Sequence, residues 1–465
     1  MQYASVGDLL KSTAQAVQVN GGVRVTDPAA FRKDVIDRLV YTAVFGDEET
    51  REAARWLIWE AAWDLGVQSA SIDALYQARA RGEYTDRTVP AINVRGMAYD
   101  TARAAVRAAV RHNVGMVIFE LARSELGYTF QRPAEYATVI TAAAIKEGHQ
   151  GPLFIQGDHY QANAKRYAKD PEAEIQALRE LISESLAAGY QNIDIDTSTL
   201  VDLSYPTLDE QQRHNYQRCA ELAALIRELE PKGVTVSIGG EIGEVGKKNS
   251  TVEELRAFLD GFNREFKDRA GDARGLSKVS VNTGSSHGGV VLPDGSIARV
   301  KIDFETLQRL GEVAREYGLG GAVQHGASTL PAELFDKFPE VQCLEIHLAT
   351  EFQNIAFDSG SFPESLKQEM YAFLRKEMAD ERVEGETDEQ FIYKTRKKAW
   401  GPFKRQVWDL PEQIRAEIGG RLQDKFEFLY EKLGVVDSRN LVAKYIQPVR
   451  VSRPAPKSIQ AAAGV

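Results

Sequence analysis

From Thr88 onward, short apolar runs alternate with stretches whose apolar residues recur every three or four positions. The runs are VPAINV, GMVIFEL, PLFIQGD, NIDIDTS, VTVSIGG, KVSVNTG, GAVQHGA and CLEIHLA, and each has the length and composition of a strand. Between them, TARAAVRAAVRH, EYATVITAAAIKE, EAEIQALRELISESLAA and DFETLQRLGEVAREYG carry the period of amphipathic helices. Alternating strand and helix predicts parallel strands with right-handed crossovers, and eight such units close a (β/α)8 TIM barrel. An open doubly wound sheet would want a G-x-G-x-x-G turn after its first strand, and INVRGMAYD has none. Three parts follow: a helical N-terminal extension over 1–87, the barrel over 88–360, and a highly charged helical extension over 361–465.

Local signals refine this outline. Asp27-Pro28 predicts a helix start, a side-chain cap followed by a proline whose missing N–H costs nothing there. Phe31, Val35, Leu39 and Ala43 then recur at helical spacing. Trp56, Leu57, Ile58 and Trp63 give the next helix more apolar surface than solvent tolerates, so the barrel or a second subunit should cover it. Ser250 and Glu253 read as an S-x-x-E capping box opening a later helix. The last residues, SRPAPKSIQAAAGV, are small and proline-containing and are expected to fray.

Composition narrows the function. The 465 residues are 43% hydrophobic and 27% charged, ordinary for a soluble protein. No apolar run approaches the ~20 residues that span a bilayer, so no membrane partner is expected. The start, MQYASVGDLLKSTAQ, has neither the basic flank nor the apolar centre of a secretory signal, which favours the cytoplasm. Cys219 and Cys343 lie far apart, which suits a reducing compartment and leaves no cysteine-rich zinc site. A net charge of −10 repels a phosphate backbone, so nucleic acid is not an expected partner.

Barrel active sites form where strands end, and the seven histidines can be sorted by that rule. His112, His149 and His214 lie in a helix end, a turn and a helix, where solvated or locally bonded side chains are the usual outcome. His159, His287, His325 and His347 instead fall at the ends of the third, sixth, seventh and eighth strands. Any one of them alone would read as a core residue. Four converging on one rim predict a metal, since three imidazoles with an open position are a common catalytic zinc arrangement. Asp158, Asp196 and Glu241 end strands on the same rim, and Asp194 shares the face of Asp196 deeper in the barrel.

The ordered motifs GDH, IDTS, GGEIGEVG, NTGSSHGG, QHGAS and a last strand running into TEFQ resemble the class II, metal-dependent aldolases of fructose and tagatose bisphosphates. VPAINV resembles their first strand, and the resemblance spans residues 88 to 357. It implies that His159, His287 and His325 bind a catalytic divalent metal, usually zinc. It also implies that Asp158 is the acid/base on the hydroxyl at the cleaved bond. Glu241 and Asp196 match positions that line a secondary metal or hydrogen-bond the histidines. Gly326 and Ser328 match a phosphate-holding loop, to which Gly288 and Gly289 contribute, and Thr350 is retained at the last strand. A divalent ion then stabilises an enediolate while a carboxylate moves the hydroxyl proton, and no Schiff-base lysine is needed.

Two places depart from the family pattern. After the fifth strand, where relatives carry glycines and a mobile glutamate base, this chain has Lys247, Lys248 and Asn249, which leaves either Glu244 as the replacement or no such base at all. In the last strand, His347 and Ala349 stand where relatives have asparagine and aspartate. Three roles are open to His347: a donor to the enediolate, which is the expected one, a fourth metal ligand, or a packed side chain. The function expected is a metal-dependent aldolase of a phosphorylated ketose, working as a homo-oligomer. The alternatives are a sugar-phosphate isomerase or epimerase on the same barrel, and a non-catalytic partner subunit of a tagatose-bisphosphate-type aldolase.

Overall fold

All eight expected strands form: Val89–Asn93, Ile118–Ala122, Gly151–Gln161, Asn192–Asp196, Ser237–Glu241, Lys278–Val281, Ala322–Gln324 and Glu345–Leu348. They are numbered below as barrel strands one to eight. The structure, a computed structural model, describes residues 2–20, 22–243, 248–284 and 302–463. Each strand pairs in parallel with the next, and the eighth pairs with the first, Glu345 opposite Val89, which closes the barrel. The helices fall between strands as the periodicity predicts, among them Ala98–Arg111, Pro133–Lys146, Pro171–Ala187 and Phe304–Glu316. Their starts follow local chemistry. Asp170 accepts from Ala173 N at 3.1 Å with Pro171 in the first turn, and Asp303 accepts from Thr306 N at 2.9 Å.

One cap sits a residue later than expected. Thr251 and Glu254, not Ser250 and Glu253, form the capping box of Val252–Ala270. Ser250 is diverted: its hydroxyl accepts from Asn282 N at 2.9 Å and its own N–H donates to Asn282 O at 2.7 Å, tying the loop to the end of the sixth strand.

The first 87 residues carry more than helices. A hairpin pairs Val17–Val19 with Val23–Val25, and Val67–Ser69 adds a ninth strand beside Gly151–Leu153. The Asp27 carboxylate accepts from Ala29 N and Ala30 N at 3.0 and 2.9 Å, with Pro28 in the first turn. Phe31, Val35, Leu39 and Ala43 are all buried. The tryptophan-rich helix Glu48–Asp64 packs on Pro133–Lys146 of the barrel. Its outer side is covered by the chain's own C-terminal tail, so no second subunit is needed. Trp56 Nε1 and Trp59 Nε1 donate to the carbonyls of Arg453 and Val451, each at 3.1 Å. The tail therefore does not fray through this stretch. Two indole N–H groups, which need acceptors when buried, hold it down, and Ile459 of the closing helix is 2% exposed.

A chain beginning at Thr88 loses the ninth strand and the surface under that tail. It is expected to aggregate or to elute as large species in size-exclusion chromatography. A soluble, monodisperse truncated protein would show that the extension is an appendage.

The barrel interior is polar. Apolar side chains such as Phe119, Ile155, Ile193 and Ile346 alternate with Glu120, Gln156, Asp194 and Glu345, and all eight residues are buried. Strand periodicity puts the second set on the opposite face from the first. The charged members come from the second, fourth, sixth and eighth strands, the alternate-strand layering of such barrels. Lys278 Nζ, 1% exposed in its side chain, lies 2.5 Å from Glu345 Oε1 and 3.0 Å from Asp194 Oδ2 and donates to Gln156 Oε1 at 2.8 Å. Gly239 makes room for this cluster, since a Cβ there would stand 2.3 Å from Asp194 Oδ1.

Candidate metal centre

The third strand places its two chemical residues by a bulge. Its pairing with the fourth strand shifts between Gly157 and Tyr160, and His159 takes a left-handed backbone with φ of 40°. A regular strand would send consecutive side chains to opposite faces. Here Asp158 and His159 both line one cavity of about 460 Å³ at the C-terminal end of the barrel. Gly157 is required by the bulge, because a Cβ would lie 2.4 Å from the Tyr160 ring.

One ring nitrogen of His159 and one of His325 meet oxygen-bearing side chains. His159 Nδ1 is 3.0 Å from Asp196 Oδ2 and 3.0 Å from Glu241 Oε2. His325 Nε2 is 2.9 Å from Ser280 Oγ. The two remaining nitrogens, His159 Nε2 and His325 Nδ1, face each other at 2.7 Å. A carboxylate or hydroxyl on the far nitrogen is the arrangement that orients metal-binding imidazoles. His159, Glu241 and His325 have ligand atoms within 4.8 Å of one another, as do Asp158, His325 and His347. The donor set thus fits a divalent cation of the nitrogen- and oxygen-binding kind.

Asp196 is pinned on several sides. It accepts from Ser198 Oγ and Gln161 Nε2, both at 2.6 Å, as well as meeting His159. Burial works against its charge, but these bonds overcome it and hold the carboxyl below the usual range. Glu241 behaves oppositely. Burial and the nearby Asp196 charge push it up to about 7, with His159 opposing.

His347 lies beside His325, ring centroids 4.1 Å apart, and carboxylates engage both of its nitrogens. Nδ1 is 3.1 Å from Asp158 Oδ1 and 3.1 Å from Glu120 Oε2, and Nε2 is 2.7 Å from Glu345 Oε1. Burial disfavours its charge, yet Glu120 and Asp158 outweigh burial and raise its pKa well above the ordinary value. Glu120 in turn is pushed up to about 7 by burial and by the charge of Asp158.

These shifts set a pH dependence for the metal-free protein. Glu120 and Glu241 have folded values near 7 against ordinary values of 4.5, so the folded state binds more protons between those limits. Stability should therefore fall as pH rises through that window. His159 and His347, raised above 6.5, act in the same direction above it. With a chelator present, the Tm is expected to be higher at pH 5.5 than at pH 7.5, and a Tm that rises with pH would overturn the assignment.

Gly326, Ser328, Thr350 and Ala349 line the same cavity, and Thr350 N donates to Ser328 Oγ at 3.2 Å. His287, Glu244, Gly288 and Gly289 lie outside the described residues. Sequence reasoning did not single out Glu120, Glu345 or Lys278. The signal available was a charge inside an apolar strand run, and for Glu345 its place two residues before His347, which puts both on one face. It also missed the basic wall of the cavity, where Arg95, Arg123, Arg166 and Lys397 gather. Lys397 comes from the turn Arg396–Ala399, far beyond the last strand. Burial and the Arg95 charge lower its pKa.

The sequence profile of the class-II fructose-bisphosphate aldolases matches residues 73–400, well over half of the chain, and the chain belongs to that family. No curated protein matches the sequence at a significant level. Among solved structures, it is similar to a probable tagatose 6 phosphate kinase from Sinorhizobium meliloti 1021, with 16% identity and a TM-score of 0.54 over 77% of this chain and 99% of that one. It is also similar to the fructuronate-tagaturonate epimerase UxaE from Cohnella laeviribosi, with 12% identity and a TM-score of 0.50 over 85% of this chain and 86% of that one. The YdjI aldolase from Escherichia coli K12 matches at 13% identity and a TM-score of 0.48 over 79% of this chain and 98% of that one. At such identities the first two likenesses speak to the fold alone.

Proposed function

We propose that the chain is a metal-dependent aldolase that cleaves or forms a carbon–carbon bond in a phosphorylated ketose. The observation that carries this is the pair His159 and His325, each fixed by an oxygen on one nitrogen and facing the other across 2.7 Å, with Asp158 on the same cavity wall. His159 and His325, with His287, are the residues that would hold the metal, and Asp196 and Glu241 orient His159. A zinc or similar dication there supplies positive charge to the ketone oxygen when bound. Asp158 takes the proton of the hydroxyl at the breaking bond, and His347 holds Asp158 by its Nδ1. Ser328, Gly326 and Thr350 are placed to receive one anionic group, and the Arg95–Lys397 wall to receive another. Arg95 is already paired with Glu125, Nε to Oε1 at 2.7 Å, so Lys397 carries most of the attraction for that second anion.

The reading brings with it work in cytoplasmic carbohydrate breakdown, by a homo-oligomer. Incubating the purified chain with zinc and a panel of ketose mono- and bisphosphates should release an aldehyde and a smaller ketose phosphate. Formation of an isomeric sugar without cleavage would replace the aldolase with an epimerase or isomerase, which shares the enediolate. No turnover of any member would leave the partner-subunit reading.

A further inference from the structure

A second cavity, of about 410 Å³, lies at the other end of the barrel from the metal centre and shares no lining residue with it. Leu186 and Ala187 end the helix Pro171–Ala187, residues 189–191 lead into strand four, and Leu229 ends the helix before strand five. Trp59 and the C-terminal tail, through Val451 and Arg453, complete the wall. Arg453 is the one charge among its described residues. The guanidinium lies over the Trp59 ring, Cζ 3.5 Å from the centroid. Its backbone N–H donates to Glu60 Oε1 at 3.3 Å, but its side chain donates to no described residue, and Nη2 is buried without a partner. Gly189 permits this approach, since a Cβ there would stand 2.3 Å from Trp59 and 2.8 Å from Arg453 Nη2. Burial pushes the Arg453 pKa down to about 10 against the pull of Glu60, so the charge persists at neutral pH. Tyr190 lines the same cavity, and its hydroxyl, also buried, has no hydrogen-bond partner among the described residues. A buried cation without a counter-charge is costly. Stacking on Trp59 offsets part of that cost but supplies no hydrogen-bond acceptor.

We propose that this cavity binds a small carboxylic acid with an apolar body, its carboxylate on Arg453 and its body against Leu186, Leu229 and Val451. A planar guanidinium meets a carboxylate through two parallel hydrogen bonds. A concave, mostly apolar wall with a few polar groups is the usual form of a small-molecule site. The protein's own acids do not fill the role. No carboxylate lines the cavity among the described residues, and Glu60 is already engaged by Arg450 Nη2 at 3.0 Å. One unpaired cation is balanced by one negative charge, which a carboxylate carries. The site stands where the strands begin, so it is independent of the aldolase reading.

Calorimetric titration of the full chain with phenylacetate should show one site per chain, unchanged when a chelator is present. Phenylacetamide, with the same body and no charge, should bind roughly 10–10²-fold more weakly. Arg453→Met keeps a stem over Trp59 without the charge and should weaken phenylacetate by the same roughly 10–10²-fold. Ala187→Trp, at an exposed helical position on the cavity wall, should block the ligand by filling its space. It decides the matter if Arg453→Met does not fold. Absence of binding at millimolar phenylacetate would overturn the proposal, and so would equal affinity for the amide. Binding lost with the chelator would assign the acid to the metal centre instead. Affinity within threefold of wild type in the variants would put the acid elsewhere on the surface, and either result overturns the proposal.

Discussion

Replacing His325 with alanine is expected to strip the protein of its metal and abolish turnover. Its imidazole sits between the other two, with ring centroids 4.0 Å from His159 and 4.1 Å from His347, and its Nδ1 is the atom that faces His159 Nε2. Losing an outer partner of a metal-bound histidine already costs about 10–100-fold in affinity. Losing the ligand itself should cost more, because Glu241 cannot replace it while it remains on the far nitrogen of His159. Metal analysis after dialysis should fall from one equivalent to a small fraction, with circular dichroism unchanged. One equivalent retained at wild-type affinity would show that the ligand set is wrong.

Asp158→Asn should have the second largest effect and the opposite signature: metal retained, turnover reduced by roughly 10²–10⁴-fold. Asparagine keeps the shape of the side chain and an oxygen for His347 Nδ1, 3.1 Å away, but it cannot carry a hydroxyl proton. Alanine is the less informative change, since it would leave His347 short of a partner in a site where Asp158 itself is only 4% exposed. Near-normal kcat in Asp158→Asn would move the acid/base role to another carboxylate of the cavity. Asp196 is poorly suited to inherit it, being already committed to His159, Gln161 and Ser198.

The chain's order of strands and helices was legible because each is a local pattern. An apolar run of five residues between helical stretches needs no distant partner to be recognised, and all eight runs became strands. That His159 and His325 share one cavity was legible for a related reason, since both were read at strand ends, which a closed barrel gathers on one rim. The sequence by itself thus determined the fold and the rim on which these histidines and carboxylates come together. Only closure of the barrel decided which side chains meet there. Glu120, Asp194, Lys278 and Glu345 sit on strands that are not neighbours, and no local spacing relates them. They face one another because closing the sheet turns one face of every strand toward a common axis. The same closure put Glu120 and Asp158 on a single nitrogen of His347, and a one-residue bulge at His159 turned consecutive residues into one site. The tryptophan helix found its cover in a tail nearly 400 residues further along, whose carbonyls answer two indole N–H groups. Local periodicity records how a segment will coil. Which buried charge meets which is settled by distances that exist only once the chain has folded.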